Sequence, residues 1–433
     1  MTPQSQFAVC APIAAGHVGE LRALLATMNR RPGNAAPENS LVPFGRFERL
    51  HFARFVILDD RTVGELAAYD LPVPTAAPSL AFLGDCDGPA DAFLDDLVHR
   101  AGQGLHRIFS HCREAPASIA ELRAWMRRHD QPPAAVYVNW RGRTVRQVRE
   151  EQALRDALVS YLDAHSAGSP NGGPSAVHDT LRAFVQREQA AGRLTLTPPA
   201  PTPLGWRIRN LLHAIGVPVV LLLVAPLLLL YLPVFAFQLR RRETTDPVIA
   251  PRPDAEVAAR LAEIEDHEVT NQFSAMGALK PGRLRRWTAV FFLWIVDYAA
   301  RHVYGRGRLA RVSTIHFARW IFLDDRRMLF LSNYDGSLDS YMDDFINKVA
   351  FGLNLVFSNG IGYPRTDWLV FGGAKDEQKF KFFIRRHELP TEVWYDGHAG
   401  LTAVEMQRNA HIREGLERAS MTDAEAHAWV QLL

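Results

Sequence analysis

The sequence predicts an α+β protein in which one module occurs twice, with an apolar segment between the copies. Three observations predict this organisation. The first is a pair of near-identical strand-like segments, HFARFVILDD at 51–60 and HFARWIFLDD at 316–325. The second is a series of paired blocks that follow the same order around both segments. The third is a stretch at 211–237 that contains no Asp, Glu, Lys or Arg.

Composition sets the outer limits. A chain of 433 residues is long enough for two or three domains, each with its own core. The formal net charge of +2 gives no reason to expect a nucleic-acid partner. Three cysteines are too few for a disulfide framework. The first residues lack the basic and apolar regions of a secretory signal, so we expect the N-terminal part to stay in the cytoplasm.

The repeat extends over three blocks in the same order. FAVCAPIAAG (7–16) matches FSAMGALKPG (273–282), LAFLGDCDGPADAFLDDL (80–97) matches MLFLSNYDGSLDSYMDDF (328–345), and RRHDQPPAAVYVNWRGRT (127–144) matches RRHELPTEVWYDGHAGLT (385–402). Three ordered blocks predict an internally duplicated domain.

Periodicity gives the elements of each copy. In the first copy the pattern predicts a strand at 7–13, a helix at 17–29, strands at 50–58 and 80–85, a helix after Pro89, a helix at 118–129 and a strand at 134–138. This β-α-β-β-α-(α)-β order is the ferredoxin-like plan. Helices cover one face of such a sheet, so we expect the other face to pack on the second copy.

These elements divide the chain into five parts. We expect a ferredoxin-like module at 1–165, a flexible, Pro-rich linker at 166–206, a membrane segment at 207–242, a second linker at 243–265 and a second ferredoxin-like module at 266–425.

The paired modules resemble the dimeric α/β-barrel superfamily, which includes chlorite dismutases and dye-decolorising haem peroxidases. Gly84-Asp85-Cys86-Asp87-Gly88 is similar to the GxxDG motif of those peroxidases, whose Asp lies on the distal side of the haem. Ala410-His411-Ile412-Arg413 resembles a short His-containing motif of the same family. Ser332 replaces the first Gly in the second copy, and the usual residues around His411 are absent. The resemblance implies a pseudo-dimeric α/β barrel and a haem-dependent, peroxidase-like oxidoreductase. For such an enzyme attached to a membrane, we expect an apolar or lipid substrate.

The segment 211–237 is long enough to enter a bilayer, and arginines flank both of its ends. It contains Pro218, Pro226 and Pro233. We expect a re-entrant hairpin that bends near Pro226, because two copies that share a barrel must lie on one side of the membrane. The alternative is a single span whose copies pair with those of another chain. We expect an inner-membrane location with the modules on the cytoplasmic side.

A second membrane signal lies at 287–304, WTAVFFLWIVDYAARHVY, which follows Arg283, Arg285 and Arg286. Aromatic residues that follow a group of arginines in sequence are typical of a helix at the membrane interface. The same pattern fits a helix packed against the apolar segment or in a large core, and both interpretations stay open.

The repeated HFAR strand supplies the candidate catalytic residues. Strand alternation places Arg319 on the face opposite His316. We expect Arg319 to meet Asn333 and Asp335 on the next strand, and Arg54 to meet Asp85 and Asp87. The candidate catalytic residues are therefore Arg319, Asp335, Arg54 and Asp87. Such clusters also arise for structural reasons alone, because a buried Arg needs a partner.

The second copy carries the more polar loops. The candidate ligand-binding residues are Asn333, Tyr334, Asn359, Tyr363 and Arg365. Contact with lipid headgroups is the alternative explanation of their polarity. His51, His316, His129 and His387 occur in both copies and suit a structural role. His398, His106, His111 and His411 occur once, but none has a recognised metal spacing. The metal ligands stay unassigned, with His411 as the weakest candidate.

Two classes of function follow. One is a membrane-attached enzyme with haem or another redox cofactor and an apolar small-molecule substrate. The other is a non-catalytic membrane-bound module that binds lipid or a partner protein. The cofactor is unknown in both cases, and an oligomer is compatible with either.

Overall fold

A computed structural model describes residues 1–73, 77–165, 173–305 and 307–433, and it shows a mixed α/β fold with one long apolar helix. The strands are β1 (Gln4–Pro12), β2 (Asn29–Arg31), β3 (Gly33–Ala35), β4 (Leu50–Leu58), β5 (Ser79–Asp87), β6 (Ala135–Val138), β7 (Thr270–Ala278), β8 (Ile315–Phe322), β9 (Arg327–Asp335), β10 (Thr366–Asp367), β11 (Phe371–Gly372) and β12 (Thr391–Asp396). The helices are α1 (Val18–Ala26), α2 (Ala90–Phe109), α3 (Ile119–His129), α4 (Val145–His165), α5 (Pro174–Ala190), α6 (Leu204–Thr245), α7 (Ala255–Ala262), α8 (Arg283–His302), α9 (Leu338–Phe357), α10 (Glu377–His387), α11 (Ala403–Leu416) and α12 (Asp423–Val430).

The two repeated parts of the chain exchange their last strands. One sheet has the order β1-β5-β4-β12-β3-β2, and the other has the order β6-β8-β9-β7. β6 belongs to the first repeat but pairs antiparallel with β8 of the second. β12 belongs to the second repeat and pairs antiparallel with β4 of the first. Each sheet is therefore incomplete without a strand from the other part of the chain.

The described strands do not close into the expected barrel. Gln131 N donates to Ala8 O at 2.8 Å, and Leu389 N donates to Ser274 O at 2.8 Å. The segment before β6 therefore pairs briefly with β1, and the segment before β12 pairs briefly with β7. Prolines come directly after these contacts, at 132–133 and at Pro390. Proline has no N–H to donate, so the hydrogen-bonded ladder stops there. The strands consequently form two larger sheets instead of one continuous barrel.

Apolar side chains join the facing surfaces of the two sheets. This inter-sheet layer contains Ala8, Val56, Leu58, Ala81, Leu83, Met276, Ile321, Leu329, Leu331 and Leu389, all buried. Separate cores fill the space between each sheet and its helices. Within the predicted linker at 166–206, residues 166–172 lie outside the described residues. Helix α5 follows them and buries Leu181 and Val185, so part of the predicted linker is folded.

Helix α6 is continuous from Leu204 to Thr245 and is long and apolar enough to cross a membrane. The expected hairpin at Pro226 is absent, and the prediction of a bend there was wrong. A proline interior to a helix removes one hydrogen bond but does not reverse the chain. Leu and Ala surround Pro226, and they favour helix over turn. The prolines at 218 and 233 are also accommodated within the helix.

Both ends of α6 contact the second repeat. Near the start, His213 Nδ1 lies 2.8 Å from His302 Nε2 at the end of α8. Near the end, Arg242 Nη1 donates to Pro281 O at 3.1 Å, just before α8 begins. The two helices therefore lie side by side in opposite directions, and the folded body holds α6 at both ends.

Candidate functional site

Two arginines on equivalent strands enter the space between the sheets. Arg54 lies on β4 and Arg319 lies on β8, and alternation turns both away from the helices. Their side chains are buried. A buried guanidinium destabilises the fold unless its N–H groups find acceptors, so the positions of those acceptors decide what the site can do.

Each arginine binds the opposite repeat. Arg319 donates to Asp85 Oδ1 at 2.7 Å and to Phe7 O at 2.9 Å. Arg54 donates to Phe273 O at 2.8 Å and also to Asn333 Oδ1. Phe7 matches Phe273 and Asp85 matches Asn333 in the repeat, so the two sets of contacts are reciprocal. Burial and the charge of Arg319 lower the pKa of Arg54 to about 9.

The expected pairs of Arg319 with Asp335 and of Arg54 with Asp87 are not formed. Asp335 Oδ2 accepts from Ala403 N at 2.8 Å, at the start of α11. Asp87 Oδ2 accepts from Val145 N at 2.9 Å, at the start of α4. Both carboxylates therefore stabilise a helix N-terminus, where unpaired backbone N–H groups favour negative charge. The predicted pairs were wrong because both arginine side chains donate to acceptors on the other sheet.

The histidines of the HFAR strands occupy an unexpected face. At His51, two residues of β4 oppose one residue of β5, and β8 has the same irregularity at His316. Such a β-bulge disturbs simple alternation. The ring of His51 consequently lies 5.2 Å from that of Phe317, which belongs to an apolar cluster between the sheets. The prediction that His and Arg face opposite sides fails at this bulge.

The histidines join a hydrogen-bonded chain that spans both repeats. His51 Nε2 lies 2.9 Å from Asp87 Oδ1, and His51 Nδ1 lies 2.8 Å from His398 Nε2. Burial lowers the pKa of His398 to about 4, so this ring is neutral at neutral pH. The imidazole of His51 can donate to the Asp87 carboxylate from Nε2, and the donor between His51 and His398 depends on their tautomers. His398 Nδ1 lies 3.3 Å from Asp396.

The equivalent position beside His316 has no second histidine. His316 Nε2 lies 2.6 Å from Asp335 Oδ1. Burial alone would lower the pKa of His316, but the charge and hydrogen bond of Asp335 raise it above the ordinary value. Trp140 occupies the repeat position of His398, and Val138 occupies that of Asp396. The chain of three residues therefore occurs on one side of the pseudo-symmetric interior.

One small cavity borders these histidines. It has a volume of about 40 Å³, and its lining includes His51, His316, His398, Asn139 and Gln407. Ligand pockets usually enclose about 300 to 1,000 Å³, whereas one water needs only about 10 to 15 Å³ of such a cavity. The residues around this cavity therefore do not fit a haem. The cavity is large enough for a few waters in contact with imidazole groups.

Comparison with known proteins gave no family assignment. No protein-family model matches the chain, and no curated protein is similar to it in sequence. The residues themselves therefore carry the functional argument.

The predicted ligand-binding residues do not converge on one site. Asn333 faces the inter-sheet space, while the ring of Tyr334 stacks on Tyr341 on the helix side of the same sheet. Asn359 donates to carbonyl groups at the end of α9, and Tyr363 donates to Asn354 Oδ1. Arg365 is exposed. Consecutive strand residues and distant loops separate these side chains, so they do not share a pocket.

The single-copy histidines also have separate environments. His411 is exposed and lies 3.1 Å from Glu414 on the same helix. His106 contacts Pro116 O. His398 joins the buried chain, and His111 lies beside His17 on the surface of the first repeat. The sequence prediction missed the contact between His51 and His398, although the unmatched His398 in the repeat alignment was a usable signal.

Proposed function

We propose that the protein is a membrane-bound module that attaches to anionic lipid membranes through α6 and the start of α8. The main support is the exposed apolar surface of α6. Leu222, Leu223, Leu229 and Leu230 are each more than two-thirds exposed. A helix that is apolar on all sides is stable in a protein core or in a bilayer, and the described part of the chain does not bury this one.

The exchanged strands argue against a complete crossing. β6 and β12 interlock the two repeats, so both repeats must lie on one side of a membrane. The helix is roughly 63 Å long at 1.5 Å per residue, yet contacts at His213 and Arg242 hold both of its ends on the same folded body. We therefore propose that α6 lies within one leaflet and does not span the bilayer.

Charged and aromatic groups around α6 suit lipid headgroups. Arg207 and Arg209 are exposed near its start, and Arg241 is exposed near its end. Trp287 on α8 and Trp368 in the loop after β10 are also exposed. Arginine attracts anionic lipid, and tryptophan prefers the boundary between headgroups and acyl chains. The same surface therefore offers an apolar centre with a cationic border.

A binding module fits the interior better than a haem oxidoreductase. Arg54, Arg319, Asp85 and Asn333 hydrogen-bond with one another or with backbone carbonyls across the sheets. The cavity beside His51 and His316 has a volume of only about 40 Å³. These polar groups therefore stabilise the contact between the repeats, and we assign them no catalytic step.

We further propose that both repeats are ferredoxin-like modules of the dimeric α/β-barrel type, altered by the exchange of their last strands. The ordered sequence blocks and the reciprocal contacts of Arg54 and Arg319 support a duplication. For the location we propose the cytoplasmic face of the inner membrane, because arginines occur at both ends of α6.

Cysteine labelling tests the in-plane arrangement. Cys10, Cys86 and Cys112 are buried or half-buried, and burial raises the pKa of each thiol, so they react slowly. We expect Arg207→Cys and Thr244→Cys to react with a membrane-impermeant maleimide in inside-out vesicles, and neither to react in intact cells. Opposite accessibilities at the two positions would show that α6 spans the membrane and would overturn the proposal.

Vesicle flotation tests the lipid preference. We expect the purified chain to float with vesicles of phosphatidylglycerol and phosphatidylcholine, and less with phosphatidylcholine alone. The triple variant Arg207→Ala/Arg209→Ala/Arg241→Ala should lose this preference, whereas Leu222→Lys/Leu229→Lys should reduce binding to both. Arg113→Ala/Arg128→Ala, in the first repeat, provides the control. Equal flotation of all variants would contradict attachment through α6.

A further inference from the structure

We propose that His17, Glu20 and His111 form a binding site for a divalent transition-metal ion, with Zn²⁺ as the best match. His17 Nδ1 lies 3.2 Å from His111 Nδ1. Glu20 Oε2 lies 3.7 Å from the first of these atoms and 3.9 Å from the second. The three side chains thus direct one ligand atom each at a common point.

The distances suit tetrahedral coordination. A Zn–N bond of about 2.05 Å places two nitrogen ligands about 3.3 Å apart in a tetrahedron. The two imidazoles already have this separation. The carboxylate is slightly too distant, but Glu20 is 71% exposed and free to move closer. Imidazole and carboxylate together favour Zn²⁺ over Mg²⁺ or Ca²⁺, which prefer oxygen ligands.

The backbone fixes the two histidines before any ion binds. Ala14 N donates to His111 O at 2.9 Å, and Ile13 forms an isolated antiparallel bridge with Cys112. His17 N in turn donates to Ala14 O at 3.1 Å. These bonds hold the loop before α1 against the end of α2. Because the two imidazoles come from different elements, their approach follows from the fold and not from helical spacing.

The three ligands lie at the protein surface, where the side chain of His111 is 17% exposed. His17 is 44% exposed, which leaves a fourth position open to water. Three protein ligands with an open position are typical of sites where zinc activates water or binds a small ligand.

The second repeat lacks these ligands. Arg283, Arg286 and Asn359 occupy the positions that match His17, Glu20 and His111. Asn359 is buried and donates to backbone carbonyls of α9. The three residues therefore do not belong to the shared framework of the repeats, and the fold does not require histidine at these positions.

Metal titration of the full chain tests the site. We expect one Zn²⁺ per chain in calorimetry, and Co²⁺ should give the intense visible absorption of a tetrahedral site. His17→Gln and His111→Gln should each weaken binding by about tenfold or more, and Glu20→Gln by a smaller factor. His411→Gln is the matched control, because His411 and Glu414 form an exposed His–Glu pair that has one imidazole where the proposed site has two.

A melting experiment separates loss of the site from loss of the fold. Zn²⁺ should raise the melting temperature of the native chain and of His411→Gln, but not that of His17→Gln/His111→Gln. Without metal, all three proteins should melt at similar temperatures. Unchanged Zn²⁺ stoichiometry in the double variant would overturn the proposal, and the contact between His17 and His111 would then be only a hydrogen bond between two imidazoles.

Discussion

Arg319 of the second repeat donates to Asp85 of the first repeat at 2.7 Å, and both side chains are buried between the sheets. Removing one partner leaves the other charge buried and unpaired. We expect Arg319→Met to lower the free energy of unfolding by about 3 to 5 kcal/mol, and Arg319→Met/Asp85→Leu to recover much of the loss. Urea unfolding measures both. A parallel series at the exposed pair of Arg123 and Asp95 should change stability by about 1 kcal/mol or less.

The exchanged strands predict that a cut chain stays together. A protease site inserted within 166–172 separates β6 from β12 in sequence, but each piece still supplies a strand to the other sheet. We expect the two fragments to elute together in size-exclusion chromatography in detergent after cleavage, and to separate in denaturant. Separation without denaturant would show that the repeats hold their own last strands.

Local patterns predicted most of the elements but not the partners of the strands. The alternation in HFAR predicted β4 and β8, and the paired blocks predicted that the two sheets face each other. The exchange of β6 and β12 was not predicted, because the residue pattern of each strand is compatible with pairing in either sheet. The prolines at 132–133 and Pro390 mark the places where the chain leaves its own edge, and they were visible beforehand.

The site was harder to predict, for a related reason. Arg54 and Arg319 were identified, but their acceptors lie more than 200 positions away in sequence. The bulge at His51 also moved that ring to the face that alternation had assigned to Arg54. Pairing between distant segments and a one-residue irregularity both depend on tertiary packing, which periodicity does not report.

Buried neutral histidines predict acid sensitivity. Burial lowers the pKa values of His387 and His398 to about 4 each. Unfolded histidine has a pKa of about 6.5, so between pH 6.5 and 4 the unfolded chain binds more protons than the folded chain. Stability should therefore fall as the pH falls through this window, by about 1.4 kcal/mol per pH unit for each histidine.

Urea unfolding at pH 7 and pH 5 measures this loss, and His398→Gln should reduce it by about half. His316 acts in the opposite direction, because its raised pKa contributes stability that is complete at low pH and is lost as the pH rises through the folded value. His411 is exposed, so the His411→Gln variant should show the same loss of stability between pH 7 and pH 5 as the native chain. An unchanged pH dependence in His398→Gln would contradict a neutral His398.

Tyr298 compensates for a proline in the long helix. Pro218 has no N–H for the carbonyl of Ala214, four residues earlier, and the Tyr298 hydroxyl donates to that carbonyl at 3.3 Å. Tyr298→Phe should therefore lower the free energy of unfolding by about 1 kcal/mol. In a Pro218→Ala background the helix supplies its own N–H, and the same change should have little effect. A double-mutant cycle in detergent measures this coupling, with Tyr231→Phe as the control on an exposed part of α6. Equal effects of Tyr298→Phe in both backgrounds would show that the hydroxyl does not replace the missing bond, and that α8 holds α6 through other contacts.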